Sequence, residues 1–271
     1  MTDLAIIILT KNESMHIGRC LEKIAVLEPR QVFVVDCFST DGTQRIAMKL
    51  GATVVEHEWP GNQAEQFNWA LDNLHIEASW VLRLDADEYL YPETINEVKG
   101  LLPKVSEKTV TVADLPEDIT SLSLVRDCTF WKQPVHLGLG RVLLTRFFKY
   151  GFGRSDLRIM DEHIITLSGR DHLLKGRFID DNLNGMDWWF QKHLDYANRE
   201  AKAMIVGDMT GKKSFYAKLP LFWRAFLYFI YRYILRGGFW EGKAGFLWHF
   251  FQCLWYRMLV DAKIMELKQK K

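Results

Sequence analysis

Only four cysteines occur in 271 residues, and Cys20, Cys37, Cys128 and Cys253 form no C-x-x-C pair. That scatter excludes a zinc-finger spacing and a disulfide framework, and it suits a reducing cytoplasm. Charge of one sign is also missing: 35 Lys and Arg against 34 Asp and Glu leave +1. No global field draws the chain to nucleic acid, so no nucleic-acid partner is expected. The residues after Met1 enter an apolar run with no basic n-region and no long h-region, so no signal peptide is expected. A bilayer-spanning helix needs roughly 20 apolar residues with few charges. The aromatic run after residue 215 is broken by Arg224, Arg232 and Arg236. Internal repeats are absent. Finally, Thr10-Lys11-Asn12-Glu13 is not the Gly-rich phosphate loop that a nucleotidyltransferase usually needs after its first strand.

What is present is enough apolar material, 48% of residues, to bury a full core. The length fits one large α/β domain or an ordinary domain with a helical appendage. Leu4–Leu9 reads as a strand buried on both faces, and a helix is expected from about Met15 to Leu27 with Ile17, Leu21 and Ile24 on one side. Val32–Val35 ends in Asp36, Thr40-Asp41-Gly42-Thr43 turns into a helix, and Ala52–Val55 is a third strand. Glu65–Leu74 reads as helical and Trp80–Leu84 as a fourth strand, followed by Asp85-Ala86-Asp87-Glu88. Alternation at this spacing predicts β-α-β units and a largely parallel sheet. Pro103–Glu117 reads as a loop or weak hairpin, strands resume at Leu122–Val125 and Val142–Leu144, and helix dominates from Asp187 onward.

Polar residues collect where these strands end, the edge at which open α/β sheets bind ligands. Strand alternation would aim Asp85 and Asp87 at one point, and hard carboxylate oxygens suit Mg²⁺ or Mn²⁺. A lone D-x-D is commonly a solvated acidic turn. Here Thr10, Asn12, Glu13, Asp36 and Asp41 fall on the same edge and outline a nucleoside-sized pocket.

These segments, Thr10-Lys11-Asn12-Glu13, Val35-Asp36 with Ser39–Thr43, and Asp85–Glu88, resemble family 2 inverting glycosyltransferases of the GT-A fold. The lipopolysaccharide core glucosyltransferase branch is similar in two further stretches: Trp188-Trp189 through Lys192-His193, Tyr196, Arg199 and Glu200, and Gly237-Gly238-Phe239 with Gly242 and Gly245. The resemblance implies an α/β GT-A catalytic domain over 1–212 and a C-terminal amphipathic helical region over 213–271. It implies a UDP-sugar donor, a divalent cation (Mg²⁺ or Mn²⁺) and a lipid-anchored glycan acceptor. Asp36 would hold uracil or ribose, Asp85 the nucleotide, and Asp87 the metal. Asn68 would lie near the diphosphate, although Phe67 stands where a basic residue is usual and Cys37 where a second acid is common. A polyprenyl-linked capsule or exopolysaccharide acceptor, or a non-catalytic nucleotide-binding scaffold, are the rival readings.

Inversion needs a carboxylate to take the acceptor proton. Asp161-Glu162-His163, framed by Ile159-Met160 and Ile164-Ile165, supplies the candidates. The resemblance favours Glu162, with Asp161 beside it; His163 would orient the base, approach the metal or fill a core position. Lys192 is a candidate cation for the diphosphate, while the Trp188-Trp189 pair suits either sugar stacking or core packing. Ten Trp residues include four after residue 215. Residues 215–260 read as a membrane-surface segment whose basic side is Arg224, Arg232 and Arg236, or alternatively as a docked hairpin or dimer interface. The expected place is the cytoplasm, peripheral on the inner face of the bacterial cytoplasmic membrane, with oligomeric state open.

Overall fold

The computed structural model describes residues 1–106, 109–111, 114–138, 142–157, 163–207 and 216–269. The chain begins β1 (Thr2–Thr10), α1 (Ile17–Ala25), β2 (Pro29–Asp36), α2 (Thr43–Lys49), β3 (Thr53–Glu56), α3 (Gln63–Asn73) and β4 (Trp80–Asp85). Every residue of β1 is buried. Alternation explains why: Leu4, Ile6 and Ile8 enter one core with Ile17, Leu21 and Ile24 of α1, while Ala5, Ile7 and Leu9 enter another with Phe67, Ala70 and Leu71 of α3. A strand covered by helices on both faces must be apolar throughout.

A short β5 (Glu88–Leu90) and α4 (Pro92–Leu101) follow, then β6 (Lys104–Val105) and β7 (Val110–Thr111). β6 and β7 pair antiparallel, which makes the expected weak hairpin. Next come β8 (Ile119–Phe130), β9 (Gln133–Val135), β10 (Val142–Lys149), β11 (Gly153–Ser155), β12 (Ile164–Thr166) and β13 (Arg170–Asp180). The main sheet runs β3-β2-β1-β4-β10-β8-β13-β5. Its β3–β4 half is parallel as expected. From β4 onward the sheet departs from a largely parallel one, since β10 is antiparallel to both β4 and β8, and β5 to β13. β11 and β12 form a separate antiparallel pair.

The described residues fall into two compact units. The first comprises 1–127, 142–157 and 163–183; the second comprises 128–138, 184–207 and 216–269. Within the second unit, α5 (Met186–Val206) packs with the C-terminal helices. Those are α6 (Trp223–Phe229) continued by a π-helical turn (Ile230–Leu235), α7 (Gly242–His249) continued by a second (Phe250–Trp255), and α8 (Tyr256–Gln269). Ala197 and Ala201 of α5 meet Tyr256, Val260 and Ile264 of α8. Among the described residues, no helix is long and apolar enough to cross a membrane.

Two sequence signatures of the second unit are packing devices. His193 stacks on Trp189 at 3.5 Å and donates Nδ1–H to the Trp189 carbonyl, while its Nε2 meets the Gln252 amide at 2.8 Å. Glu200 accepts from Tyr256 Oη at 2.5 Å and pairs with Arg257. Trp189 also packs against Phe130, Phe251 and Trp255, whereas its neighbour Trp188 is exposed. In the glycine series, a Cβ on Gly238 would lie 2.6 Å from His249 Cε1, and one on Gly245 would lie 2.4 Å from Glu241 Cβ. Close approach of backbone to side chain requires glycine at both.

Candidate active site

Strand register sets the site. Thr10 lies opposite Asp36 and Leu9 opposite Asp85, so β1, β2 and β4 deliver their polar ends at one level. The strand order 3-2-1-4 reverses direction of growth between β1 and β4, and a ligand crevice opens at such a switch point beyond the carboxyl ends.

Asp36 is fully buried and organises the first two loops. Oδ1 accepts from Thr10 Oγ1 (2.7 Å) and Ser39 Oγ (2.6 Å), and Oδ2 from the Ser39 amide and Gln44 Nε2 (both 2.7 Å). Burial by itself would raise this carboxyl, but the hydrogen bonds from Ser39, Thr10 and Gln44 outweigh it and hold it below the usual range. Asp41 accepts from the Ser14 amide and from the amide and hydroxyl of Thr43. Burial opposes these bonds, which still bring its carboxyl down to about 2. Asn12 accepts the Thr40 amide, and its own amide reaches Ser39 Oγ. Thr10, Asn12, Asp36 and Asp41 thus tie together the loops at the carboxyl ends of β1 and β2. Asn12 (φ 56°) and Phe38 (φ 54°) both take left-handed backbone there, and Phe38 is exposed. For a bulky side chain that conformation costs on the order of 1–3 kcal/mol and concentrates at functional sites.

Glu13 gives Oε2 to His16 Nδ1 at 2.6 Å. His16 Nε2 accepts the Leu183 amide at 2.9 Å, so the ring proton sits on Nδ1. Glu13 therefore ties the β1–α1 loop to the segment after β13.

The acidic turn differs from expectation. β4 ends at Asp85, and Ala86-Asp87 form a two-residue turn into β5, so strand alternation does not govern Asp87. The turn is held from the far end of β13: the Asp181 amide donates to the Asp87 carbonyl (3.0 Å) and Asn182 Nδ2 to Asp87 Oδ2 (2.8 Å). Both carboxylates are half-buried. Glu88 is buried, accepts the Asp85 amide at 3.1 Å and pairs with Arg146; burial pushes its carboxyl upward against that guanidinium. Among the described residues no three His, Cys, Asp or Glu side chains gather as a metal cage. His163 is exposed and is not brought into such a set with Asp85 and Asp87. Two hard carboxylates beside an open edge nevertheless fit Mg²⁺ or Mn²⁺, which take much of their shell from phosphate and water.

Asn68 has its partners in β11. It is buried, its Nδ2 donates to the Ser155 carbonyl (3.0 Å), and its Oδ1 accepts the Ser155 amide (2.9 Å), so both ends of its amide hold β11. Arg154 forks onto Asp72 of α3 at 2.7 and 2.8 Å. Arg83, buried in β4, donates to Ser155 Oγ at 3.1 Å and lies 5.3 Å from the Phe67 ring centroid. A cation therefore stands over Phe67, contributed by the neighbouring strand. β11 is the root of the connection that carries Asp161 and Glu162; those two residues lie outside the described ones. At its ends the Asp156 amide donates to the His163 carbonyl at 2.8 Å. Lys192 belongs to the second unit, where its amine sits 4.5 Å from the Trp188 ring centroid.

Sequence reading missed Arg83, Arg19, His16, Asp181 and Asn182. Arg19 pairs with Asp181 at 2.5 Å, 162 positions away. Only the Asp180-Asp181-Asn182 run after a strand-like stretch hinted at this segment.

Residues 5–112 match the family profile of glycosyl transferase family 2. An uncharacterized glycosyltransferase of Rickettsia conorii is 40% identical over 92 residues, covering 34% of this chain and 31% of that protein. Its counterpart in Rickettsia prowazekii is 35% identical over 99 residues, or 36% and 32% of the two chains. The chain thus spans about a third of the length of the curated relatives it matches. Among solved structures, a mannosyltransferase from Pyrobaculum calidifontis in complex with GDP-Man and Mn²⁺ aligns over 98% of this chain and 88% of its own, with TM-score 0.54 and 16% identity. That likeness is one of fold: the mixed α/β sheet flanked by helices is GT-A-like.

Proposed function

We propose that this chain is an inverting, metal-dependent glycosyltransferase that moves a hexose from a UDP-sugar to a lipid-anchored glycan, such as a lipopolysaccharide core. The observation that carries the reading is the gathering of Thr10, Asp36 and Asp85 at one level of the β1/β4 switch point, with Asp87 in the adjoining turn. The family 2 match, residues 5–112, includes these strand ends, and a neighbour of the same fold is in complex with GDP-Man and Mn²⁺.

Asp85 and Asp87 would hold the divalent cation, which supplies Lewis-acid neutralisation of a diphosphate leaving group when bound. The network around Asp36 presents the rim to the nucleoside. Glu162, or Asp161 beside it, takes the acceptor hydroxyl proton as the new glycosidic bond forms and the bond to the diphosphate oxygen breaks on the opposite side. The clamp formed by Asn68, Arg83 and Ser155 fixes the root of the connection bearing that base. The reading puts the chain in the cytoplasm, peripheral on the inner face of a bacterial membrane, where nucleotide sugars meet lipid-anchored acceptors.

UDP release from a panel of UDP-sugars, with and without Mn²⁺ or Mg²⁺, tests it. Metal-dependent turnover with one donor, lost in Asp87→Ala, is the expected result. Failure to bind UDP in the presence of metal would overturn it. Glu162→Gln is expected to lower turnover by at least about 10²-fold with UDP binding intact, unless Asp161 is the base, in which case Asp161→Asn takes over that loss.

A further inference from the structure

The second unit turns α6 and its continuation apolar side outward. In α6 and its π-helical continuation the exposed side chains are Trp223, Phe226, Leu227, Tyr231, Ile234 and Leu235, whereas Arg224 is 1% exposed. Ordinary surface helices do the reverse. Arg224 is inside because it forks onto Asp261, itself fully buried, through Nε (2.8 Å) and Nη2, while Asp261 also accepts the Phe222 amide. Arg232 lies against the Tyr228 ring. The basic side expected from Arg224, Arg232 and Arg236 therefore does not exist as one surface.

The exposed apolar stripe continues through Phe239, Trp240 (76% exposed), Phe246 and Phe250. Between them lies a shallow, open depression lined by Tyr233, Phe239, Phe246 and Leu247, with Lys243 at its side. Single exposed apolar residues need no explanation, but a continuous stripe of them does.

The geometry points to a lipid-inserting face: residues 223–250 enter the headgroup–acyl boundary of an anionic bilayer apolar side first, with Lys243 meeting lipid phosphate. Charge complementarity selects this occupant. Glu241 is the sole acid between 216 and 250, and it is engaged with the His136 and Leu137 amides. The exposed charges, Lys218, Arg236 and Lys243, are all cationic. An isologous second copy would bring these like charges together, whereas anionic headgroups neutralise them. Trp and Tyr at the edge of the stripe suit the interfacial zone. No described helix is long and apolar enough to cross, so the segment lies in the plane. This deepens the membrane-peripheral part of the proposed function and does not depend on glycosyl transfer.

Flotation of the full chain with phosphatidylcholine vesicles, with and without phosphatidylglycerol, is the test. Wild type is expected to float with the anionic vesicles and to keep much of that association in high salt. Lys243→Gln should bind them about five-fold more weakly. A Leu235→Glu/Trp240→Glu double variant should stay at the bottom of the gradient while melting like wild type, because both side chains are exposed. Wild type failing to float, or the double variant floating equally well, would overturn the proposal. So would a dimer in light scattering that the double variant dissociates without lipid. Asp87→Ala is expected to float normally, so a failed transferase reading and a failed lipid face are separate results.

Discussion

At the residue scale, the site is built from side chains whose partners decide their roles. Asp36 and Asn68 look alike as candidates, a polar residue at a strand end and another on a neighbouring helix. Asp36 orders the loops that frame the pocket, whereas Asn68 is a clamp on Ser155, 87 positions away. Asn68→Leu leaves the Ser155 amide and carbonyl buried without partners, at about 1–3 kcal/mol for each group. Urea denaturation should register that loss, and the shifted β11 root should lower kcat. The affinity for UDP should hold, since both ends of the Asn68 amide are engaged by the Ser155 backbone; a large rise in UDP Kd would instead place Asn68 at the diphosphate. Asp36 was legible because a buried apolar run ends on it. The role of Asn68 was not, because nothing local distinguishes an amide aimed at a phosphate from one aimed at a distant backbone.

Elements divide in the same way. β1 through β4 were readable because each is a short apolar run between helices, the signature of burial on both faces. β13 is eleven residues long yet half polar, with exposed positions interleaved among buried ones, and its pairing with β5 closes over 90 positions of sequence. In the second unit, α6 was read with its arginines outward because i+4 spacing lined them up. The Arg224–Asp261 pair reverses that orientation. Removing one partner leaves a buried charge uncompensated, so Arg224→Met or Asp261→Asn should destabilise the protein by about 3–5 kcal/mol. Replacing both with apolar residues of similar volume should recover much of the loss. Thermal melts of the two single variants and the double variant measure this directly.

For the whole molecule, polar strand ends gather on an edge of one compact unit and an exposed apolar helical face lies in the other. On the proposed reading, in which Asp85 and Asp87 hold the cation and phosphate and water complete its shell, metal and nucleotide should depend on each other. UDP with Mn²⁺ at about 100 times Kd is expected to stabilise the protein by about 2.7 kcal/mol, read as a rise in Tm. Either component alone should do much less, and Asp87→Ala should abolish the shift. An equal shift with UDP alone would remove the metal from the binding step.

The sequence by itself determined the parallel half of the sheet and the polar ends that mark its edge. These follow from local periodicity, since strand alternation and apolar run length are set within a few residues of one another. Tertiary structure alone decided the antiparallel half, the two-residue turn under Asp87, the Arg83–Ser155–Asn68 clamp and the outward apolar face. Each depends on a partner tens of residues distant: Asn182 for Asp87, Ser155 for Asn68, Asp261 for Arg224. A buried polar group takes whichever partner folding brings within hydrogen-bond reach, and that choice is written in three dimensions, not in local spacing.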